Sequence, residues 1–452
     1  ELGSVDLGDA RREKRLRRVV AQMSQKPESS IHEAFEEMAA KKGAYRFFSN
    51  AHGDVRTIRQ AHTHATGRRA APYERVWGVQ DTSHISCPAH KMARGMGALD
   101  PADGRGCLRH SGLAVTQGEQ PLGIAHQESW GRPVSPMASR KKVNRTWAQK
   151  ESCKCKRTLE TAQARGRAGQ EIILIRDRES DLYGLLASPR RPGIRPLIRA
   201  AQIRRAHGQP RALFDQVRDA PLAGHGLADL LGTDKRPPGQ AICEAPFCPL
   251  AFGPPKNAEK HIPKTPVTAG AAWIQEVNPP RGENPVRWVR LATWTVRHFE
   301  DARPRAPFCS LRWRVERSHD ALKTGCRLEA AQFEEETRLE PLDAVCAVGA
   351  WPILASAYQA RTSPGPSCES FFTRDEWQAL YPHHHPRARP EASGTPTIAQ
   401  ALQWSAILGA FRGRKGHAHP GAKVLGRGLM RLSPLVEGYH LSSFLAPRLR
   451  SG

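Results

Sequence analysis

The chain has 452 residues, with 69 Lys+Arg against 44 Asp+Glu, a formal charge of +25 and a hydrophobic share of 39%. That length allows roughly two to four folding units of about 100–200 residues each. A balance this basic points to nucleic acid or an anionic membrane surface as partner. Spanning a membrane is excluded, because the longest mainly apolar stretch runs only from Val345 to Tyr358, contains Pro352, and falls short of the ~20 residues a bilayer needs. No secretory leader is expected from the charged, polar opening residues, and the missing initiator Met leaves the natural start open. Ten cysteines without a CxxC pair suggest a reducing compartment and neither a zinc ribbon nor a disulfide scaffold. His383-His384-His385, set among Pro and Arg, reads as a surface loop rather than a metal site.

Residues 1–70 read as helical and basic. The run Arg11-Arg12-Glu13-Lys14-Arg15-Leu16-Arg17-Arg18 is followed by Val19, Val20 and Met23 at helical spacing. Such a helix buries one apolar side and fans its cations over solvent, a face suited to tracking phosphates. From about residue 73 short apolar runs take over. Strands are expected at 76–80, 112–116, 122–126, 171–176 and 195–199, with a basic helix over 150–165. This is an α/β plan with a mixed sheet. Residues 200–290, rich in Pro and Gly between Pro237 and Pro285, read as an inserted β-rich subdomain or an irregular loop. Helix returns over 311–323 and 342–361, and a C-terminal region of helices and loops follows. No internal repeat stands out.

Two carboxylates follow apolar strands, Asp81 after 76–80 and Asp177 after 172–176. In open α/β sheets ligands bind beyond strand ends, although a single acid there is also an ordinary helix cap. The helix at 311–325 offers a third acid. Arg312, Glu316, His319 and Lys323 fall at i, i+4, i+7 and i+11, one helical face that is charged where a core-facing stripe would be apolar. A solvated i,i+4 salt-bridged face gives the same spacing. Two Asp and one Glu are also what two Mg²⁺ ions about 3.5–4 Å apart need for in-line phosphodiester displacement.

Several ordered stretches resemble the bacterial cut-and-paste DDE transposases, specifically the Tn-five type of the IS-four family. Leu7-Gly8-Asp9 with Arg11-Arg12, and Gly43-Ala44-Tyr45-Arg46-Phe47, resemble its DNA-end-binding region. Asp81-Thr82-Ser83, His126-Gln127-Glu128, Lys150-Glu151-Ser152 and Asp177-Arg178-Glu179-Ser180-Asp181 follow in order. Glu276-Val277-Asn278-Pro279-Pro280, Trp288, and Arg312-Trp313-Arg314-Val315-Glu316 with His319 and Lys323-Thr324-Gly325 complete the series.

The resemblance implies an RNase H-like (DDE transposase/integrase) catalytic core over 71–340, interrupted by the β-rich insertion at 200–290. It also implies a helical N-terminal DNA-end-binding domain over 1–70 and a helical dimerisation region over 341–452. Asp81, Asp177 and Glu316 would be both the catalytic and the metal-binding triad, holding two Mg²⁺ ions for which Mn²⁺ is an expected substitute. Arg11, Arg12, Arg15, Arg46, Arg199, Trp288, Arg312, His319 and Lys323 would contact DNA, Trp288 by stacking on an extruded base. Its other reading is a core Trp in a strand. The implied activity is Mg²⁺-dependent excision by nicking, hairpin formation and hairpin opening, then strand transfer into target DNA. A homodimer would bridge two transposon ends in a synaptic complex, in the bacterial cytoplasm beside the nucleoid and away from membranes. One departure is Cys309, where the family pattern has Tyr. It keeps open an impaired relative that binds transposon ends without efficient cleavage. A basic nucleic-acid-associated protein without chemistry is the third reading.

Overall fold

The computed structural model describes the chain except residues 28, 51–53, 88–93, 100–103, 133–145, 209–210, 231–235, 237–238, 256–257, 259–261, 294–307, 327, 331–335, 387–393, 414–418 and 451–452. Four helices open it: α1 (Ala10–Gln25), α2 (Ile31–Ala34), α3 (Met38–Asn50) and α4 (Val55–Ala70). Asp9 caps α1 by accepting from the Arg11 backbone N–H, and Ser30 with Glu33 forms a reciprocal capping box on α2. Leu16 and Val19 face inward while the cations between them stay outside, as the apolar spacing predicts.

The sheet follows. Its strands are β1 (Arg75–Ser86), β2 (Gly97–Ala98), β3 (Arg105–Val115), β4 (Pro121–Trp130), β5 (Glu171–Arg176), β6 (Ile194–Arg199), β7 (Leu222–Leu230), β8 (Gly239–Phe252), β9 (Val267–Glu276) and β10 (Arg287–Ala292). Their order is β2-β3-β1-β5-β6-β10-β9-β8-β7, with β4 also on β3. β1, β5 and β6 run parallel, and the β1–β3, β3–β4 and β6–β10 pairs are antiparallel. β7 to β10, from the segment read as an inserted β-rich subdomain or a loop, are strands that continue the main sheet, because β10 pairs with β6. One expectation needs correction. β1 does not stop at residue 80 but runs on to Ser86, so Asp81 sits inside a strand. The polar run Asp81-Thr82-Ser83-His84 hid the continuation.

Helices α5 (Cys153–Arg165), α6 (Tyr183–Leu186) and α7 (Leu213–Arg218) lie among the strands. They are followed by α8 (Phe308–Asp320), a π-turn at Ala321–Gly325, and the long α9 (Glu336–Thr362). The chain ends in α10 (Arg374–His384), α11 (Ile398–Leu408) and α12 (Ala422–Arg450). α9 is the spine. Its Leu342, Val345 and Val348 pack with Leu16, Phe47 and Phe48 of the N-terminal helices. Trp351 packs with the sheet, and Ile353 with the C-terminal helices. A helix apolar all round belongs inside a protein. By length and composition α9 could cross a membrane, and most of that stretch is buried in this fold.

At the joint between the N-terminal helices and the sheet, Thr66 of α4 donates to the Ile124 carbonyl at 3.0 Å. Gly123 beside it has φ +138°, and a Cβ there would lie 2.2 Å from the Thr66 hydroxyl. Only glycine fits this approach. A further correction concerns His383 and His384, which end α10 rather than forming a surface loop. His384 stacks on Trp404 of α11, with ring centroids 6.1 Å apart.

Candidate functional site

The alternation of β1 puts Trp77, Val79 and Asp81 on one face, and that of β5 puts Ile173 and Ile175 on the same side with Asp177 next in line. Val79 pairs with Ile175 in the parallel register, so two residues further Asp81 arrives beside Asp177. The apolar members of this face form one cluster with Leu311 and Val315 of α8. Burying those two side chains turns Arg312 and Glu316 toward the acids. The sheet register and one helix stripe together build the site.

Arg312 is its centre. Its Nη2 lies 3.4 Å from Asp81 Oδ1 and 3.1 Å from Glu316 Oε1, and its Nη1 lies 4.0 Å from Asp177 Oδ2. All three predicted acids therefore meet around one guanidinium. Among the described residues, no three His, Cys, Asp or Glu groups stand at the spacing of a single metal site. Burial pushes the Asp81 carboxyl up to about 7, and Asp177 and Glu316 add to this while Arg312 opposes it. Asp177 is likewise raised, first by burial and then by Glu179. Burial alone would lower the Arg312 pKa, but Asp81, Glu316 and Asp177 outweigh it and raise it. Arg312 thus offsets only part of the burial and mutual repulsion that raise Asp81 and Asp177. Three hard carboxylate oxygens in such a place are a donor set suited to a divalent cation. Asp177 also keeps its local role, accepting from the Glu179 N–H at 3.1 Å at the start of a 3₁₀ turn.

The other expected contacts divide. His319 is buried, at 3% exposure, with Nδ1 3.8 Å from Asp81 Oδ2; it faces the acid rather than solvent, so the stripe turns inward there. Lys323 falls in the π-turn, 3.9 Å from Glu329, and remains partly exposed. A π-turn is often found at functional sites. Arg199 lies two residues beyond Leu197, the partner of Ile175, and so stands at the level of Asp177, opposite Arg290 of β10. Trp288 is half-buried in a small cluster with Ala241, Cys243 and Ile274, which agrees with the core-strand reading of that residue. By alternation it shares a face with Ala292, which packs with α8. Arg11, Arg15 and Arg46 are exposed on α1 and α3. Arg12 instead makes an ion pair with the buried Asp54. Cys309 belongs to the first turn of α8, but its side chain lies outside the described residues.

Sequence reasoning missed the polar groups behind the site. Lys154 of α5, 5% exposed, reaches Glu179 at 2.6 Å, and Thr82 lies 3.4 Å from the same carboxylate. Arg109 of β3 and Asp343 of α9, both nearly inaccessible, are 3.0 Å apart. A charge inside an otherwise apolar run, as in Pro341-Leu342-Asp343-Ala344-Val345, was the signal available.

The helical ends of the chain define its class. Residues 1–52, comprising α1 to α3, match the family model described as Transposase DNA-binding. Residues 348–445, from the last part of α9 through most of α12, match the model described as Transposase Tn5 dimerisation domain. These two transposase-type domains flank the sheet and its acids. Together the two matches support a Tn5-like transposase.

Proposed function

We propose that this chain cleaves and transfers transposon-end DNA at a DDE site formed by Asp81, Asp177 and Glu316. The convergence of these acids around Arg312, which is 231 residues from Asp81 in sequence, carries the reading. The sheet order β4-β3-β1-β5-β6, with antiparallel strands on one side of β1 and parallel ones on the other, supports an RNase H-like core. Mg²⁺ held by the three carboxylates would supply charge at the scissile phosphate and activate water or a 3′ hydroxyl.

The chain's own residues do the rest. Arg11, Arg15 and Arg46 hold the end duplex by its phosphates. Arg312 and Lys323 meet the backbone near the cut, with Arg199 beside Asp177. Trp288 stands on the face shared with α8 and offers a ring to an extruded base. The C-terminal helices pair two copies so that two ends are processed together.

A second reading, a relative that binds ends without efficient cleavage, is favoured by the position of Arg312. Its guanidinium occupies the centre of the acids and must yield for a cation to be held there. One experiment separates the two. The full chain is incubated with duplex DNA carrying the inverted repeat that flanks its source gene, in Mg²⁺ or in EDTA. Mg²⁺-dependent nicking at the repeat boundary supports the first reading. Tight binding without nicking, in Mg²⁺ and in Mn²⁺, supports the second.

A further inference from the structure

Asp343 lies at 1% exposure on α9, where three parts of the molecule meet. Its Oδ2 accepts from Gln127 Nε2 at 2.6 Å and Ser129 Oγ at 2.9 Å, both on β4. Its Oδ1 is 3.0 Å from Nη1 of Arg109 on β3, itself 2% exposed, an ion pair without the alignment of a linear hydrogen bond. Arg59 of α4 arrives from the DNA-binding side, with Nη2 3.5 Å from Asp343 Oδ2 and Nη1 2.7 Å from Glu340.

The register shows what is being held. Asp81 lies opposite Ser111, and Ser111 opposite Gln127; Ser83 lies opposite Arg109, and Arg109 opposite Ser129. Directly opposed residues share a face. Asp343 therefore grips the two cross-strand rows that contain Asp81 and Ser83, on the face where α8 packs. The helix that carries it runs on into the dimerisation domain, and Arg59 ties it to the helix that follows the DNA-binding domain.

We propose that Asp343 is a positioning residue, which couples the strand bearing Asp81 to the end-binding helices and to the dimer helix. A buried ion pair is weak support for stability, because desolvation offsets its attraction, so its presence in an apolar helix is better explained by the geometry it fixes. The hydroxyl and amide donors of β4 point the same way. They sit in the same cross-strand rows as Asp81 and Ser83.

The inference rests on the proposed cleavage activity only in one arm of its test. Asp343→Asn alone would strand the Arg109 charge, so the double variant Arg109→Gln/Asp343→Asn is used, which removes both charges and keeps amide hydrogen bonding. In the first arm, hydrogen exchange is followed with and without the end duplex. In the parent, DNA binding is expected to slow exchange in β1 and β3 around Asp81 and Arg109 as well as in α1 to α4. In the double variant the protection stops at the N-terminal helices while end affinity stays within twofold. In the second arm, Mg²⁺-dependent nicking falls at least tenfold with unchanged Kd and a folded circular-dichroism spectrum. Arg59→Gln, at a less buried position, gives the same pattern more weakly and decides the matter if the double variant does not fold. Equal protection of β1 and β3 in parent and variant overturns the inference. A parent that binds but never nicks overturns the proposed function, and the exchange arm still judges Asp343.

Discussion

The N-terminal helices and the acid site handle charge in opposite ways. On α1 the side chain of Arg11 is 93% exposed, and its pairing with Asp9 is at the surface. Around Arg312 the carboxylate of Asp81 is 11% exposed, and its pKa is driven upward by burial and by two neighbouring acids. Surface ion pairs contribute little and are screened by salt. Buried like charges cost stability, and proteins keep them where chemistry needs them. The first region is built to meet a polyanion. In the proposed function the second holds a cation. Each contrast below is a way to separate the two.

The largest effect is expected at the acids. Asp81→Asn, Asp177→Asn or Glu316→Gln should each lower Mg²⁺-dependent nicking by roughly a thousandfold or more, about 4 kcal/mol of barrier, while leaving end affinity nearly unchanged. Carboxylates beside DNA oppose phosphate binding, so their loss has no reason to weaken it. Single-turnover nicking and a binding titration in EDTA check both halves. A variant that nicks at the parent rate would remove its residue from the site.

The cationic face should show the reverse pattern, with binding lost and chemistry per bound complex retained. Replacing Arg11, Arg15 and Arg46 by Ala should shrink the slope of log affinity against log salt by about 0.9 for each phosphate that is no longer neutralised. Arg12→Ala serves as the internal contrast. Its partner Asp54 is 7% exposed, so this change should mainly destabilise the fold and alter the slope less. An unchanged slope in the triple variant would sink the assignment of this face to DNA.

These contrasts were only partly legible in the sequence. The buried strand Ile172–Ile175 and the charged stripe of Arg312 and Glu316 could be read because each follows from local periodicity alone. The extent of β1 could not be, since the strand beyond Asp81 is polar and owes its shape to pairing with β3. Nor could the insertion be recognised as part of the main sheet, because the β6–β10 pairing joins segments some ninety positions apart. His319 stands on the charged stripe by its spacing, yet packing carries it inside, beside Asp81. Asp343 is the extreme case, with partners 214 to 284 residues away. Contacts of that range leave no trace in spacing. They leave only the anomaly of a charge in an apolar helix.

The smallest predicted effect is on stability, and it tests the idea that the acid site is held under electrostatic load. Asp81 has its folded-state pKa raised from 3.8 to about 7. A carboxyl so raised binds its proton more tightly in the folded chain than in the unfolded one. Stability from it is therefore complete below about 4 and is lost as pH rises through about 7. Above that pH the ionised carboxylate costs up to a few kcal/mol, an upper bound set by the size of the shift. Asp81→Asn removes this cost without changing the volume of the side chain. In EDTA at pH 8 the variant should melt several degrees above the parent, at about 2–4 °C per kcal/mol for a domain of this size. The gap should close as pH falls toward 4. Buried histidines such as His62 and His110, whose pKa values burial lowers, destabilise both proteins alike on acidification and cancel in the difference. Arg11→Ala, on the solvated face, should leave Tm unmoved at every pH. A variant that melts no higher than the parent at pH 8 would show that Arg312 alone already balances the three acids, and that the site asks for no further cation.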